Sequence, residues 1–394
     1  MIEIVSPESV GVPADRLLAI DAAMQSYVHQ GKLAGITTLI ACKGKAIHFG
    51  CYGKLDLSTG ALIRPDSLFR IYSLTKPITS VAALMLYEDR LFDLYQPVSK
   101  WIPEFKHFRI WQESYSVNGA TSALETDITF WHLFTHTSGL GYGFGEPTDP
   151  VDKIYQEAQL IHPPLMLQYP LAEFVRRLST LPLVAQPGAT WHYSLSDDVL
   201  GYLIEVISGQ TCEAFLQERL FTPLGMEDTS FFVSPEKLAR FGPLYSYSAE
   251  DGLTTVDEVA TSSFVRSDVV PSGGGGLVSS MSDYYRFMLM LTNGGMLDGV
   301  RVLQQSTVKM MMTNQLSGPT FPVRFDDPWP GMGYGLGIGV QTMESQQVGW
   351  IGISGTTAWW YPKDEMIVIA LPQALFDWEA SDRLLEMARE LIAI

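Results

Sequence analysis

Strand-like segments lie at both ends of this chain, and a long stretch with helical patterning separates them. The first two, at 36–42 and 45–53, are joined by a Lys43-Gly44 turn. Four more follow near the other end, at 334–342, 346–353, 356–361 and 366–372. We expect the two groups to pair in one sheet. The sequence therefore predicts an α+β fold: an antiparallel sheet flanked by helices, with a mostly helical domain inserted.

Helical spacing of apolar residues marks the remaining elements. The predicted helices cover 13–29, 77–86, 163–180, 196–208, 282–294, 306–314 and 376–393. The middle of the chain is mainly helical, whereas strands occur only near its ends. We therefore expect a discontinuous sheet domain, residues 1–72 and 275–394, and a mostly helical domain, residues 73–274.

Composition and charge restrict the function. The chain has 394 residues, 46% of them hydrophobic, and no apolar run is long enough to span a bilayer. A net charge of −17 disfavours nucleic acid and anionic membrane surfaces as partners. No basic segment followed by an apolar one opens the sequence, and its three cysteines form no CxxC pair. We expect a cytoplasmic protein with reduced thiols that acts on a small molecule.

A serine three residues before a lysine occurs three times. The pairs are Ser73/Lys76 in SLTK, Ser234/Lys237 in SPEK and Ser306/Lys309 in STVK. In the last two, the serine is predicted to be an ordinary helix N-cap. Ser73 differs because Pro77 fits only in the first turn of a helix, and this helix continues into an apolar core.

At such a position the Ser73 hydroxyl lies in the positive field of the helix dipole, beside an amine that burial can discharge. Ser73 is therefore the candidate nucleophile. The alternative for SLTK alone is another capping serine with a solvated lysine.

Two other segments offer partners for a nucleophile. Tyr193, in WHYSLSDD, stands just before a predicted helix that Ser196 would cap and that would end near Gly209. The segment GWIGISGT, residues 349–356, is predicted to be a strand in which Gly352 lets a ligand approach the backbone closely.

With these three segments in this order, the sequence resembles the serine β-lactamase and DD-peptidase superfamily, and most closely class C β-lactamases and family VIII carboxylesterases. The resemblance covers nearly the whole chain. It includes WHLFTHTSGL (131–140), LFTPLGMEDTSF (220–231), SGGGGLVSSMSDYYRFMLMLTNGG (272–295) and MGYGLGIGV (332–340). It implies a β-lactamase/transpeptidase-like fold with the active site at the interface of the two domains.

The resemblance also implies roles for individual residues. SLTK matches the S-x-x-K motif, so Ser73 would attack an acyl carbonyl with Lys76 beside it. Tyr193 matches the tyrosine of the Y-x-N/S motif and would share the proton transfer with Lys76. Which of the two is the base stays open, because such a pair titrates together. The N–H groups of Ser73 and Ile353 would form the oxyanion hole.

Two departures from the β-lactamase pattern indicate a different substrate. Trp350 stands where those enzymes carry a lysine that binds a substrate carboxylate, and Leu195 replaces the asparagine of class C enzymes. We expect Trp350, Gly352 and Leu195 to contact a neutral, apolar group. The expected activity is hydrolysis of small carboxylic esters through an acyl-enzyme on Ser73. The alternatives are an acyltransferase, a β-lactamase or D-peptidase, and a non-catalytic penicillin-binding-like protein.

Other motifs have structural interpretations. His132 and His136 have a zinc-ligand spacing but lack the glutamate of H-E-x-x-H, so no metal is predicted. The four glycines at 273–276 precede no Lys-Ser/Thr and indicate close backbone packing beside the site. No G-x-G-x-x-G is complete, so no cofactor is expected. Four aromatic residues fit either the cleft or the core: Tyr142, Phe144, Trp359 and Trp360.

The choice among the three serines is testable. Ser73→Ala should abolish ester turnover and leave the fold intact, because losing a helix-terminal serine costs only about 0.5–2 kcal/mol. Ser234→Ala and Ser306→Ala should leave kcat nearly unchanged. Steady-state hydrolysis of an aryl ester by the purified variants checks this, with circular dichroism as the control for folding. An active Ser73→Ala beside an inactive variant at either other serine would overturn the assignment.

Overall fold

A seven-stranded antiparallel sheet carries the fold. The computed structural model describes residues 2–112, 121–143, 150–162, 166–325, 328–343 and 346–392. In chain order the strands of the sheet are β1 (Gly35–Cys42), β2 (Lys45–Gly53), β3 (Met332–Tyr334), β4 (Gly339–Gln341), β5 (Val348–Ile351), β6 (Thr357–Tyr361) and β7 (Met366–Pro372). Across the sheet they follow the order β3-β4-β5-β6-β7-β1-β2. The pairing of β1 with β7 joins the two ends of the chain, which confirms the predicted fold.

The described ranges also contain ten helices. They are α1 (Ala14–His29), α2 (Thr75–Glu88), α3 (Phe130–Phe134), α4 (Pro150–Glu157), α5 (Leu171–Leu178), α6 (Ser196–Ser208), α7 (Cys212–Leu224), α8 (Met281–Thr292), α9 (Gln305–Met311) and α10 (Glu379–Ile392). Short 3₁₀ turns lie at Pro7–Val10, Tyr72–Leu74, Val98–Lys100, Pro103–His107, Pro235–Arg240, Val259–Thr261, Ser263–Val265, Gly318–Thr320 and Pro362–Asp364.

Five two-stranded ribbons complete the secondary structure of these ranges. They pair Leu68–Arg70 with Val278–Ser280, Arg109–Trp111 with Thr121–Ala123, Ile161–His162 with Met166–Leu167, Leu244–Ser248 with Gly252–Asp257, and Met296–Leu297 with Val300–Arg301. The sheet thus takes its strands from residues 35–53 and 332–372, and α2 to α7 come from the chain between them. The division into domains at 72/73 and 274/275 stays a prediction.

The core is centred on β1 and β7, which are buried along their whole length. Successive side chains of a strand point to opposite faces, so burial of every residue requires cover on both faces. α1 and α10 pack on each other and on the sheet, and α8 contacts both β1 and β7. No single helix of the described residues is long and apolar enough to cross a membrane, although α6 and α7, bent by 81°, pass that test together.

Two predicted elements were wrong in extent. The single strand expected at 334–342 is a hairpin of β3 and β4, because the chain turns at Gly337, where φ is +79° and a Cβ would collide with Ser80 on α2. The helix expected at 163–180 is only α5, Leu171–Leu178, because Pro170 occupies its N-cap and disfavours a helical residue before it. Residues 163–165 of that prediction lie outside the described residues.

The N-caps of two helices lie one or two residues before the predicted positions. Ser306 lies inside α9, whose N-cap is Gln304, and Ser196 is the first residue of α6 after the N-cap Leu195. Ser234 does occupy the N-cap of the turn Pro235–Arg240, although its hydroxyl bonds to the Glu236 carboxylate. Gly209 ends α6 in the left-handed conformation that the sequence predicts.

Candidate active site

Ser73 lies in the 3₁₀ turn Tyr72–Leu74, which leads directly into α2. Pro77 is in the first turn of α2, as predicted, and the helix behind it is buried for three turns. The strand before the turn is fastened to the loop after β5, because the Ser354 hydroxyl donates to the Arg70 carbonyl at 2.8 Å. The segment GWIGISGT, residues 349–356 and here called the third motif, therefore holds the backbone just before Ser73.

Lys76 is fully buried and is held by three oxygen atoms. Its Nζ donates to Ser73 Oγ at 3.1 Å, to the Gly274 carbonyl at 2.6 Å and to Tyr142 Oη at 3.5 Å. The structure thus brings the predicted serine and lysine into contact. It adds Gly274 and Tyr142, to which the sequence analysis gave no role at the lysine.

The charge state of Lys76 differs from the expectation. Burial opposes the ammonium, but the phenols of Tyr142 and Tyr193 and the carboxylate of Asp197 favour it, and together they raise the pKa of Lys76. The amine is therefore not discharged by burial. Its positive charge instead stabilises negative charge on a neighbouring phenol oxygen.

Tyr193 lies over Lys76 and beside Trp350. Lys76 Nζ is 4.6 Å from the centroid of the Tyr193 ring. The indole Nε1 of Trp350 donates to Tyr193 Oη at 3.0 Å, and Trp350 is only 1% exposed. Trp350 therefore provides a neutral hydrogen-bond donor to the phenol oxygen at the position where the β-lactamase pattern has a lysine. The sequence pattern alone did not show this contact.

A buried imidazole supports the segment that carries Tyr193. His136 Nδ1 lies 2.9 Å from Ser194 Oγ, its Nε2 lies 3.2 Å from Asp197 Oδ2, and its ring is 4.7 Å from the Tyr193 ring. Burial lowers the pKa of His136, so the neutral ring is favoured. His132 instead caps its own helix, α3. The two histidines thus have separate structural partners.

The glycine run at 273–276 approaches α6 closely, as predicted. Asp198 Oδ1 accepts from Ser272 Oγ at 2.6 Å and from the Gly274 N–H at 3.1 Å, and a Cβ on Gly274 would lie 2.6 Å from the same carboxylate. Because the Gly274 carbonyl binds Lys76, Asp198 positions the lysine through this loop.

Gly352 and Leu195 do not lie where a substrate contact was predicted. A Cβ on Gly352 would collide with the Ile71 carbonyl and with Thr356 Oγ1, so the close approach at this glycine is by the protein itself. Leu195 is fully buried in the core at the N-cap of α6. Neither residue is part of the cleft wall, and both predicted contacts are corrected.

An aromatic cleft of about 590 Å³ opens at Ser73. Tyr193, Trp350 and Ile353 line it beside the serine. Its other aromatic walls are Phe325, Trp329, Trp359, Phe376 and Trp378. Of the four aromatic residues left open by the sequence, Trp359 thus lines the cleft and Tyr142 contacts Lys76. Trp360 lines a separate groove, and Phe144 lies outside the described residues.

The sheet, the helical section and the Ser73–Lys76–Tyr193 cluster define the β-lactamase/transpeptidase class of fold. Residues 20–390 match the family model described as Beta-lactamase. The chain therefore belongs to the β-lactamase family.

Two curated proteins and one solved structure are similar to this chain. Esterase EstB of Burkholderia gladioli is 31% identical over 71% of this chain and 71% of its own. Monacolin J acid methylbutanoyltransferase of Aspergillus terreus is 29% identical over 76% of this chain and 71% of its own. The solved structure of EstCE1, a hydrolase with promiscuous acyltransferase activity, has a TM-score of 0.80 at 23% identity and covers 96% of this chain and 98% of its own.

The hydrogen bond from Trp350 to Tyr193 can be tested with a matched pair of tryptophans. Trp350→Phe should lower kcat about tenfold, because a donor to a partly charged oxygen contributes roughly 1.5–3 kcal/mol and the ring itself is kept. Trp359→Phe is the control: it lines the same cleft, and its Nε1 has no hydrogen-bond partner among the described residues. Equal loss of kcat in the two variants would show that the rings matter and the Trp350 N–H does not.

The Lys76/Tyr193 pair makes a second prediction. Lys76→Ala and Tyr193→Phe should each lower kcat at least about 10²–10⁴-fold, the size of lost acid–base assistance. In the unmodified protein the rate should fall on the acid side as the pair takes up its second proton. Because the pKa of Lys76 is raised, the ammonium should keep its proton up to at least about pH 10. Its deprotonation should therefore not lower the rate anywhere below that pH. The pH–rate profile tests both limbs, and a flat acid limb down to the carboxylate range would contradict this base.

Proposed function

We propose that this protein is a serine carboxylesterase that hydrolyses small neutral esters through an acyl-enzyme on Ser73. The observation that carries this proposal is the contact of 3.1 Å between Ser73 Oγ and the Nζ of buried Lys76, at the base of an aromatic cleft. Membership of the β-lactamase family and the likeness to Esterase EstB support it.

In the proposed reaction, Ser73 Oγ attacks the ester carbonyl and its proton passes to the Lys76/Tyr193 pair. The N–H groups of Ser73 and Ile353 bind the oxyanion of the tetrahedral intermediate, which then expels the alcohol with a proton from the pair. Water repeats these steps on the acyl-enzyme and releases the carboxylic acid. Lys76 contributes its positive charge, which stabilises negative charge that develops on the neighbouring oxygen atoms during the proton transfer.

The expected preference for neutral groups follows from the cations near Ser73. Lys76 already donates to three oxygen atoms, so it has no hydrogen left for a substrate carboxylate. Trp350 offers a neutral N–H that is directed at Tyr193. The rest of the wall beside the serine is aromatic or aliphatic, which favours an apolar acyl or alcohol group.

The second candidate is transfer of the acyl group to an alcohol. The transferase relative and the EstCE1 structure favour it, since one is named for acyl transfer and the other is described as having it as a side activity. Both reactions use the same acyl-enzyme and differ only in the acceptor. Product analysis with an added primary alcohol separates them: a new ester as the main product indicates a transferase, and free acid as the main product an esterase.

Substrate charge provides the main test of the proposed esterase. Neutral short-chain aryl esters should be hydrolysed with a kcat/KM at least about a hundredfold above that for cephalosporins, the size expected when a charged contact of about 2–3 kcal/mol is missing. Trp350→Lys should narrow this gap by raising the value for cephalosporins. Paired steady-state assays of both proteins on both substrates measure it. Comparable rates in the unmodified protein would mean that another cation binds the β-lactam carboxylate.

A further inference from the structure

One face of the last helix forms a wall of the cleft. Trp378, just before α10, and Asp382, Leu385 and Arg389 within it all line the cleft. Their spacing of four, three and four residues places them on one side of a helix. The wall that begins at an aromatic residue thus ends at a cation.

The two ends of this wall are fixed by hydrogen bonds to the two ends of β5. The indole Nε1 of Trp378 donates to the Gly352 carbonyl at 2.9 Å, next to Ile353 and the serine. Arg389 Nη2 donates to Gln347 Oε1 at 2.9 Å, at the opposite end of the strand. Five residues of strand span about 16 Å, and so do eleven residues of helix. Arg389 therefore stands far from the reacting centre.

Arg389 has no carboxylate partner among the described residues, because none of their carboxylate oxygens lies within 4.0 Å of its guanidinium nitrogens. By contrast, Arg383 on the same helix pairs with Glu386 at 3.0 Å. The contrast is informative because the chain has 43 acidic residues and only 26 lysines and arginines. Among the described residues, the Arg389 guanidinium donates hydrogen bonds to two neutral groups, the Gln347 amide oxygen at 2.9 Å and the Tyr361 hydroxyl at 3.4 Å. These contacts use part of its five N–H donors and hold the rest in place.

We propose that Arg389 binds an anionic group at the far end of the substrate. Beside Ser73 the ester would stay neutral, as proposed above. Among such esters, the preferred ones would carry a carboxylate at the far end of an apolar chain, separated from the ester group by about the length of the cleft. The aromatic walls and Leu385 would contact the apolar chain of the substrate. The Arg389 guanidinium would bind the carboxylate through two parallel hydrogen bonds. This proposal rests on the esterase function. A β-lactam carboxylate lies too near its reacting ring to reach Arg389.

A substitution at Asp382 should change the preference for anionic esters in the direction opposite to a substitution at Arg389. It lies on the same face two turns before Arg389, and burial together with Glu386 and Asp377 raises the pKa of Asp382 although Arg389 opposes this. Its carboxylate repels an anion that enters the cleft. Removal of this charge in Asp382→Asn should therefore increase the preference for anionic esters, whereas removal of the Arg389 charge should reduce it.

The experiment compares two series of 4-nitrophenyl esters of equal chain length, one ending in a methyl group and one in a carboxylate. The measured quantity is the ratio of kcat/KM for the carboxylate ester to kcat/KM for its methyl partner. At the chain length that spans the cleft, Arg389→Gln should lower this ratio about tenfold, a modest factor because Arg389 is exposed. Arg389→Lys should retain part of it, and added salt should reduce it in the unmodified protein.

Arg383→Gln is the matched control, since it removes an arginine from the same helix that is already paired and does not line the cleft. Its ratio should equal that of the unmodified protein. A ratio that is unaffected by Arg389→Gln, Arg389→Lys and Asp382→Asn at every chain length would overturn the proposal and leave the esterase function standing. If the unmodified protein hydrolyses no ester of either series, both proposals fail.

Discussion

The site depends on a buried ammonium group. Lys76 has no exposure to solvent, and its charge is retained because oxygen atoms from three separate parts of the chain accept its hydrogens. A buried charge without such partners would cost several kcal/mol, so each partner is tied to the position of the lysine. Ser73, the glycine loop and Tyr142 are thus arranged around one cation. The position of Lys76 also depends on Asp198, because this carboxylate holds the glycine loop whose carbonyl binds Lys76.

The sheet brings these parts together. β5 runs through the middle of the C-terminal strands, and the loop after it meets the turn of Ser73 on one side and Trp378 on the other. Gly352 is needed at this junction because a side chain would collide with the backbone just before the serine. The third motif therefore connects the backbone before Ser73 to the start of α10. Trp350 of the same segment donates to Tyr193, so one segment holds both the backbone before Ser73 and the side chain of Tyr193.

Local patterns in the sequence were sufficient to predict the fold and to single out Ser73 as the candidate nucleophile, a role that stays a prediction. Pro77 marks the start of a helix, and the two strand groups mark the sheet, because both signals depend on neighbouring residues. The Gly274 carbonyl and Arg389 could not be found in this way, since a backbone oxygen has no sequence signature and the cleft joins residues about 40 positions apart on β5 and α10.

Leu195 shows the opposite failure. A replacement in a motif was interpreted as a substrate contact, but its side chain had turned into the core. Spacing along the chain was thus enough to identify residues that the fold brings together, Ser73, Lys76 and Tyr193. Their catalytic roles stay predictions. The predicted site was incomplete where contacts are made only by packing.

Trp350 shows how a small change in the motif alters what the site can bind. A lysine at this position would add a second ammonium next to Lys76, and burial of two like charges is unfavourable without an anion between them. An indole keeps a donor directed at Tyr193 Oη and adds no charge. With one cation fewer near the serine, a bound substrate need not carry its own negative charge there. Any recognition of an anion then has to take place elsewhere in the cleft. We propose Arg389 at its far end for this role, since it has no carboxylate partner in the part of the chain that the structure describes.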